Sequence, residues 1–503
     1  MSILTLFIII PVLTVIGILL SKSHMQVKWV SVVGMSLQLL SAIVLIFMFL
    51  AERRAGNMAE VLFVQDNLWY DTLNIRFFIG VDGVAVAMIG LTALVVFAGI
   101  FASWDVTDLP REFFTSLILL ATGVFGFFIS LDLFTMFLFY ELAVIPMYLL
   151  IGIWGSGPRH YSAMKLTLML MGGSAFILLG ILGLYFYSAP SGGTLTFDLL
   201  KISKESIPVD VQLFLFPFLF LGFGVLGALF PFHTWSPDGH ASAPTAVSML
   251  HAGVLMKLGG YGCYRVAVFL LPEAAHQQGW IFLILATIGV IYGALGAIWQ
   301  KDLKYINAYS SVSHCALVLF GILMFNQTAI NGAILQMISH GIMTALFFAL
   351  IGMIYGRTHT RYINEMGGLM KVMPFLAVAY VIGGLASLGL PGFSGFVAEM
   401  TIFIGAFQNV DTFHRVATII AASSIVVTAV YILRVVGILL LGQIRNPEFE
   451  TLPDAKWHDR ISVVALIAGI TIIGMAPLWL SDMINGGLGP IMQKLLASGA
   501  VMQ

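Results

Sequence analysis

The sequence predicts an all-α polytopic membrane protein of about fourteen transmembrane helices. It is built on two inverted five-helix repeats, each with a broken helix, one near Pro231 and one near Pro391. Three observations carry this. Of 503 residues, 60% are hydrophobic and 9% charged, whereas a soluble domain has about 25% charged residues. Apolar runs of about 20 residues, the length that crosses a bilayer, recur along the whole chain. Two such runs are interrupted by proline and glycine five spans apart, and an odd offset makes two units of opposite topology.

In chain order the spans fall near 2–20, 28–50, 81–103, 113–130, 132–153, 163–187, 211–230, 244–270, 280–298, 304–324, 328–354, 374–409, 412–440 and 461–480. The run 374–409 is one long interrupted span. No soluble segment separates them, so 1–503 reads as a single membrane domain. Helices 1–3 occupy 1–112, the first repeat 113–270, the second 280–440, and a last helix and tail 461–503. The first run has no basic leader before it and is read as a retained span, not a signal peptide. Trp69, Trp104, Trp154, Trp280, Trp299 and Trp457 stand near span ends, where amphipathic rings sit well.

Charge gives the orientation. Fourteen Lys and Arg residues fall in one set of alternate loops, among them Lys22, Arg111, Lys304, Arg357 and Lys456. Eight fall in the other, among them Arg53, Arg76, Arg265 and Lys494. This bias makes the first set cytoplasmic and puts both termini on the far side of the bacterial inner membrane. A net charge of -1 without a basic face argues against nucleic acid as a partner. Cys263 and Cys315 lie in apolar runs and read as buried free thiols. There is no Gly-rich phosphate loop, no C-x-x-C and no His/Cys metal cluster, and no two histidines are spaced to face each other across a haem. The chain is therefore expected to hold no cofactor or metal of its own.

The densest chemistry lies in 229–257, LFPFHTWSPDGHASAPTAVSMLHAGVLMK. Proline removes a backbone donor and breaks the helix, and broken helices place free backbone groups at mid-membrane. His233, Asp238, His240 and His251 stand in this stretch, and Lys257 closes it. Two further charges are buried in spans, Glu141 in FLFYELAVIPMYLL and Glu399 in GFSGFVAEMTIFIGAF. Each costs roughly 3 kcal/mol or more at the bilayer centre, so each needs a use. A Glu and a Lys in one low-dielectric site trade a proton as their separation or hydration changes. His314 and His340 pass protons near neutral pH. The competing readings are a static ion pair for the charges and interhelical hydrogen bonds for the histidines.

These residues carry a resemblance. FLFYELAVIPMYLLIGIWG, FPFHTWSPDGHASAPTAVSMLHAGVLMKLGGYG, DLKYINAYSSVSH, QMISHGIMTALFF and LPGFSGFVAEMTIFIGAF together resemble the Mrp-antiporter-like, proton-translocating membrane subunits of NADH-quinone oxidoreductase (respiratory complex I), the subunit M branch most of all. The resemblance implies a non-redox subunit of an H⁺-translocating NADH:quinone oxidoreductase. Its neighbours in the membrane would be L-like and N-like antiporter subunits, and flavin and iron-sulfur clusters would sit in partner subunits. By position it implies proton-transfer roles for Glu141, Lys257, His314, His340 and Glu399, with Asp132 and His233 matching further family positions. A Mrp-type cation/proton antiporter subunit is the alternative. One departure matters. The family usually has a lysine on the seventh helix, and here Leu226 stands there. A leucine carries no proton, so either the subunit no longer pumps or another group serves. His251 is the candidate, expected between Glu141 and Lys257.

Overall fold

The computed structural model describes residues 2–189 and 192–501. Among them, twelve helices are long and apolar enough to cross a membrane. In order they are α1 (Leu6–Leu20, extended by a 3₁₀ turn), α2 (His24–Arg54), α3 (Gly83–Ala102), α4 (Pro110–Ile129), α5 (Leu133–Trp154), α6 (Arg159–Phe186) and α7 (Val209–Leu226), with others to follow. A short α8 (Trp235–Ser242) comes next, then α9, residues 245–268, whose α-helical turns are interrupted by two π-turns. The remainder are α10 (Pro272–Trp299), α11 (Leu303–Ile322), α12 (Gln327–Thr358), the broken pair α13 (Pro374–Ser387) and α14 (Ser394–Gln408), α15 (Thr412–Leu440), α16 (Trp457–Met475) and α17 (Leu478–Val501). The broken pair and the composite α9 supply the two predicted spans that fall outside the twelve.

Helix starts follow from caps. The side chains of Asp82, Asp132, Asp302, Asn326 and Asp411 each accept from a backbone N–H of the first turn, satisfying donors that would otherwise be orphaned. Burial sorts the bundle. In α12, 94% of the spanning residues are buried, against 39% in α6 and in α15. So α12 is central, and α6 and α15 show broad apolar faces outward.

The inverted repeat is visible in atomic detail. Gly123 of α4 packs against the backbone of Phe139 and Ala143 on α5, and Gly126 against the Phe139 ring. Gly293 of α10 packs against the backbone of Tyr309 and Ser313 on α11, and Gly296 against the Tyr309 ring, at the same spacing. Each second helix begins with Asp-Leu and is clasped by a later loop. Leu133 donates its N–H to Phe197, and Leu303 to Arg361, both at 2.9 Å. The first clasp lies on one face of the bundle and the second on the basic face, as inversion requires.

Two segments differ from the prediction. Within the polar stretch 51–80, Leu62–Tyr70 (β1) and Ile75–Val81 (β2) form an antiparallel hairpin. Its strands are rich in β-branched and aromatic residues, and Asn74 takes the left-handed turn position at φ 50°. The tail after residue 480 is α17, an amphipathic helix. Met483, Ile484, Leu488, Ile491 and Leu495 are buried, while Asp482 and Gln493 face outward, a spacing that marks a helix with one apolar stripe. It lies across the face opposite the basic one. Asn331 donates to the Ser481 carbonyl at 3.2 Å, and His276 Nε2 lies 3.0 Å from the Leu495 carbonyl. A Cβ on Gly83 would collide with the Met483 carbonyl. Gly83→Val is therefore expected to lift this helix and cost about 1–3 kcal/mol. Thermal unfolding of the detergent-solubilised protein reads the loss.

Candidate functional site

The site grows from the two breaks and the π-turns. Helix α7 stops at Leu226 because Gly227 and Ala228, the latter at φ 57°, turn the chain before the cis Phe230–Pro231 bond. Helix α13 stops at Ser387, with Gly389 and Gly392 at positive φ around Pro391. Only glycine takes such backbone without strain. In α9, the π-turn His251–Leu255 loosens the hydrogen-bond ladder immediately before Lys257, and such turns leave carbonyls free for side chains.

Lys257 uses that freedom. Its fully buried ammonium folds back to donate to the Ala252 carbonyl, and it lies 2.8 Å from His340 Nδ1. Cys315 Sγ is 3.9 Å away. With a donor at Nδ1, the other ring nitrogen of His340 carries the hydrogen and points at Ser311 Oγ, 3.3 Å away. His340 stacks on His314 with ring centroids 5.1 Å apart. His314 Nδ1 is 3.5 Å from Glu399 Oε1 and 3.0 Å from Gln336 Nε2. The proton between His314 and Glu399 has two resting places. As placed, the Gln336 amide donates to the single lone pair of Nδ1; with that amide turned away a protonated Glu399 donates there instead, or a protonated Nδ1 donates to the carboxylate. Lys257, His340, His314 and Glu399 thus stand in one file across α9, α12, α11 and α14, with ring stacking between the two histidines and polar contacts on either side of them. A cavity of about 10 Å³, bordered by Gly227, Lys257, Gly260 and Cys315, sits between this line and the first break.

The other predicted residues fall elsewhere. Asp132 caps α5, accepting from Thr135 N at 2.9 Å and from Arg76 N at 3.2 Å. Glu141 is half-buried beside Ser174 of α6, with no charged neighbour among the described residues. Asp238 pairs with Lys165 Nζ at 2.7 Å and accepts from the Tyr305 hydroxyl at 3.0 Å. His233 packs between the rings of Phe230 and Tyr292. His240 lies 3.4 Å from Met256 Sδ, its ring 4.2 Å from that of His251. His251 stacks on Trp235, and neither of its ring nitrogens has a hydrogen-bond partner among the described residues. No hydrogen bond joins His251 to Glu141 or Lys257 among the described residues. Leu226 is fully buried. Cys263 and Cys315 are both free and buried, as the apolar runs around them suggest.

A sequence profile of the NADH:quinone oxidoreductase/Mrp antiporter transmembrane family matches residues 130–440. The chain belongs to this family. It is 37% identical to the NAD(P)H-quinone oxidoreductase chain 4 2 of Microcystis aeruginosa, over 94% of this chain and 90% of that one. It is 35% identical to the NADH-quinone oxidoreductase subunit M of Rickettsia bellii, over 95% and 96%. The fold matches a chain of respiratory complex I from Thermus thermophilus with a TM-score of 0.86 at 24% identity, covering 98% of this chain and 99% of that one. It also matches a chain of the Mrp complex from Dietzia, with a TM-score of 0.82 at 19% identity and the same coverage. Within the family's matched region lie both breaks and the whole line from Lys257 to Glu399.

Sequence reasoning overlooked Gln336, Ser311 and Cys315, which touch the line directly. The signal was present in α12, where Gln336, His340 and Thr344 recur every fourth residue and so share one face.

Proposed function

We propose that this chain is a proton-translocating, antiporter-like membrane subunit of a complex I-type NADH-quinone oxidoreductase. The observation that carries this is the file Lys257–His340–His314–Glu399, joined by polar contacts at its two ends and by ring stacking at its middle, in a family member whose 35–37% identical relatives are named as subunits of such oxidoreductases. The chain moves protons and no electrons. Flavin and iron-sulfur clusters belong to partner subunits, and L-like and N-like subunits flank this one in the bacterial inner membrane, with both termini outside. A proton on Lys257 passes to His340 Nδ1, from the stacked histidines to the Glu399 carboxylate, and from Glu399 to the face opposite the basic one. Electron transfer elsewhere drives this by shifting hydration and helix position around the two breaks.

Glu141 stands apart from the line, on a half-exposed side of the bundle, and serves a neighbouring subunit. With Leu226 in place of the lysine, Lys257 receives its proton without a donor on α7. His251 is too poorly connected to stand in as a bridge from Glu141, and its role is to pack His240 and Trp235 behind the π-turn.

Leu226 also favours a second reading, a spacer subunit that no longer pumps. Glu399→Gln separates the two. In inverted membrane vesicles driven by NADH, the variant is expected to lower the proton-to-electron ratio while NADH oxidation continues. An unchanged ratio supports the spacer. A sodium-dependent ratio supports a cation antiporter of the Mrp type.

A further inference from the structure

We infer that protons reach Lys257 from the basic face along α11, by way of Lys304, Thr344 and Ser311, and so bypass the position of Leu226. The inference rests on the proton-translocating reading above and names the uptake half that the line from Lys257 to Glu399 lacks.

A cavity of about 640 Å³ opens on the basic face, bordered by Asp105, Thr245, Arg357, Lys456, His458 and Lys304. The Asp105–Lys456 ion pair, 2.8 Å long, stands exposed at its mouth. Lys304 lies at its floor, 5% exposed, its ammonium donating to the Ala243 carbonyl at 2.6 Å. Ala243 ends the turn after α8, so the second half of the first broken helix supplies the acceptor that holds this lysine.

Below Lys304, α11 presents Asn307 and Ser311 on successive turns of one face. Asn307 Nδ2 donates to Thr344 Oγ1 at 3.3 Å, and Thr344 Oγ1 lies 3.1 Å from Ser311 Oγ. Ser311 Oγ is 3.3 Å from His340 Nε2, whose Nδ1 meets Lys257 at 2.8 Å. With Lys257 neutral, His340 carries its hydrogen on Nδ1; taking a proton from Ser311 at Nε2, it releases the Nδ1 proton to Lys257 and ends in the Nε2–H tautomer described above. His340 thus loads Lys257 in one stage and takes its proton in a later one. A hydroxyl accepts one proton while releasing another, so Thr344 and Ser311 pass protons and end each transfer as they began. An amide does not, so Asn307 is a positioning residue that fixes the rotamer of Thr344. Lys304 and Ser311 are two turns apart, roughly 10 Å along the axis. The Asn307 turn between them is where solvent from the cavity must reach.

All these groups are buried and polar in a bundle whose surface is apolar. Threonine and serine at single sites explain themselves as helix back-bonds, and the Ser311 hydroxyl does bond the Asn307 carbonyl at 3.0 Å. The same hydroxyl faces Thr344 and His340 as well, which a back-bond does not require.

Two measurements test this in the whole complex. In inverted vesicles, Ser311→Ala and Thr344→Val are each expected to slow proton uptake through this chain at least tenfold, with NADH oxidation retained, and Ser311→Thr to restore it. Asn307→Cys is expected to react with a small charged methanethiosulfonate from the basic face at least tenfold faster than from the other face, with the parent chain as baseline. Wild-type uptake in both hydroxyl variants, or no face preference at Asn307→Cys, overturns the route. If Glu399→Gln lowers the proton-to-electron ratio in the same vesicles, the translocation reading survives that loss. If Glu399→Gln is also without effect, the translocation reading fails first. A hydroxyl variant that does not assemble leaves the labelling arm to decide.

Discussion

Lys257→Met is expected to leave NADH oxidation running in the assembled complex while proton movement through this chain falls at least about 100-fold. Methionine matches the stem of lysine in length and packs well in irregular apolar space, so the change removes a charge and little volume. What it takes away is specific. The Ala252 carbonyl loses the donor that the π-turn exposes it to, and His340 Nδ1 loses the partner that fixes which nitrogen carries the ring proton. The line is then cut at its first member. The check is simultaneous recording of NADH oxidation and acidification of inverted vesicles. A wild-type ratio would reduce Lys257 to a packing cation. Lys257→Arg is a weaker test, because a guanidinium keeps its charge at any working pH.

The second large effect lies at the other end of α9. Arg265 is 1% exposed, with its guanidinium 3.6 Å from Asp82 and 3.8 Å from Glu60, and 5.1 Å over the ring of Phe269. Asp82 is itself buried and caps α3, accepting from Ala85 N at 2.8 Å. Arg265→Met leaves that carboxylate buried without its cation. Breaking one side of a buried pair costs about 3–5 kcal/mol. We expect a marked fall in thermal stability of the purified complex and poor retention of α17, which lies over this cluster through Lys494 and Phe269. The pair Arg265→Met with Asp82→Asn should recover a large part of the loss, since asparagine keeps the cap and removes the orphaned charge. No recovery would mean that Arg265 acts through Glu60 or through packing alone.

Much of this was legible in the chain itself. Fourteen spans follow from hydropathy, because a bilayer forces every backbone group to bond within its own helix. Pro231 and Pro391 mark the breaks for the same reason. Lys257, His340, His314 and Glu399 stood out as polar residues in apolar runs, and the fold sets them side by side. Three things were hidden. The π-turns have no sequence signature. Lys304 looked like one more loop cation, since span ends are uncertain by a turn and its burial depends on the Ala243 carbonyl from a distant segment. The expected depth of residue 251, level with Leu226 on the adjacent antiparallel span, suggested a bridge to Glu141, but the imidazole turns instead to Trp235 and His240. Side-chain direction on an irregular helix is a tertiary fact.

The matched packing of α4 on α5 and of α10 on α11 has a consequence for how one protein serves two faces. Counting from the capping aspartates, Glu141 and Ser311 occupy the same place, nine residues after Asp132 and Asp302. The bundle offers one helix position twice, seen once from each side of the membrane. In one copy it holds a carboxylate on a half-exposed flank of the bundle. In the other it holds a hydroxyl that looks inward to His340. Exchanging the residue at a single register thus turns a group on the flank of the bundle into one that meets the buried histidines, with no change to the helix that carries it.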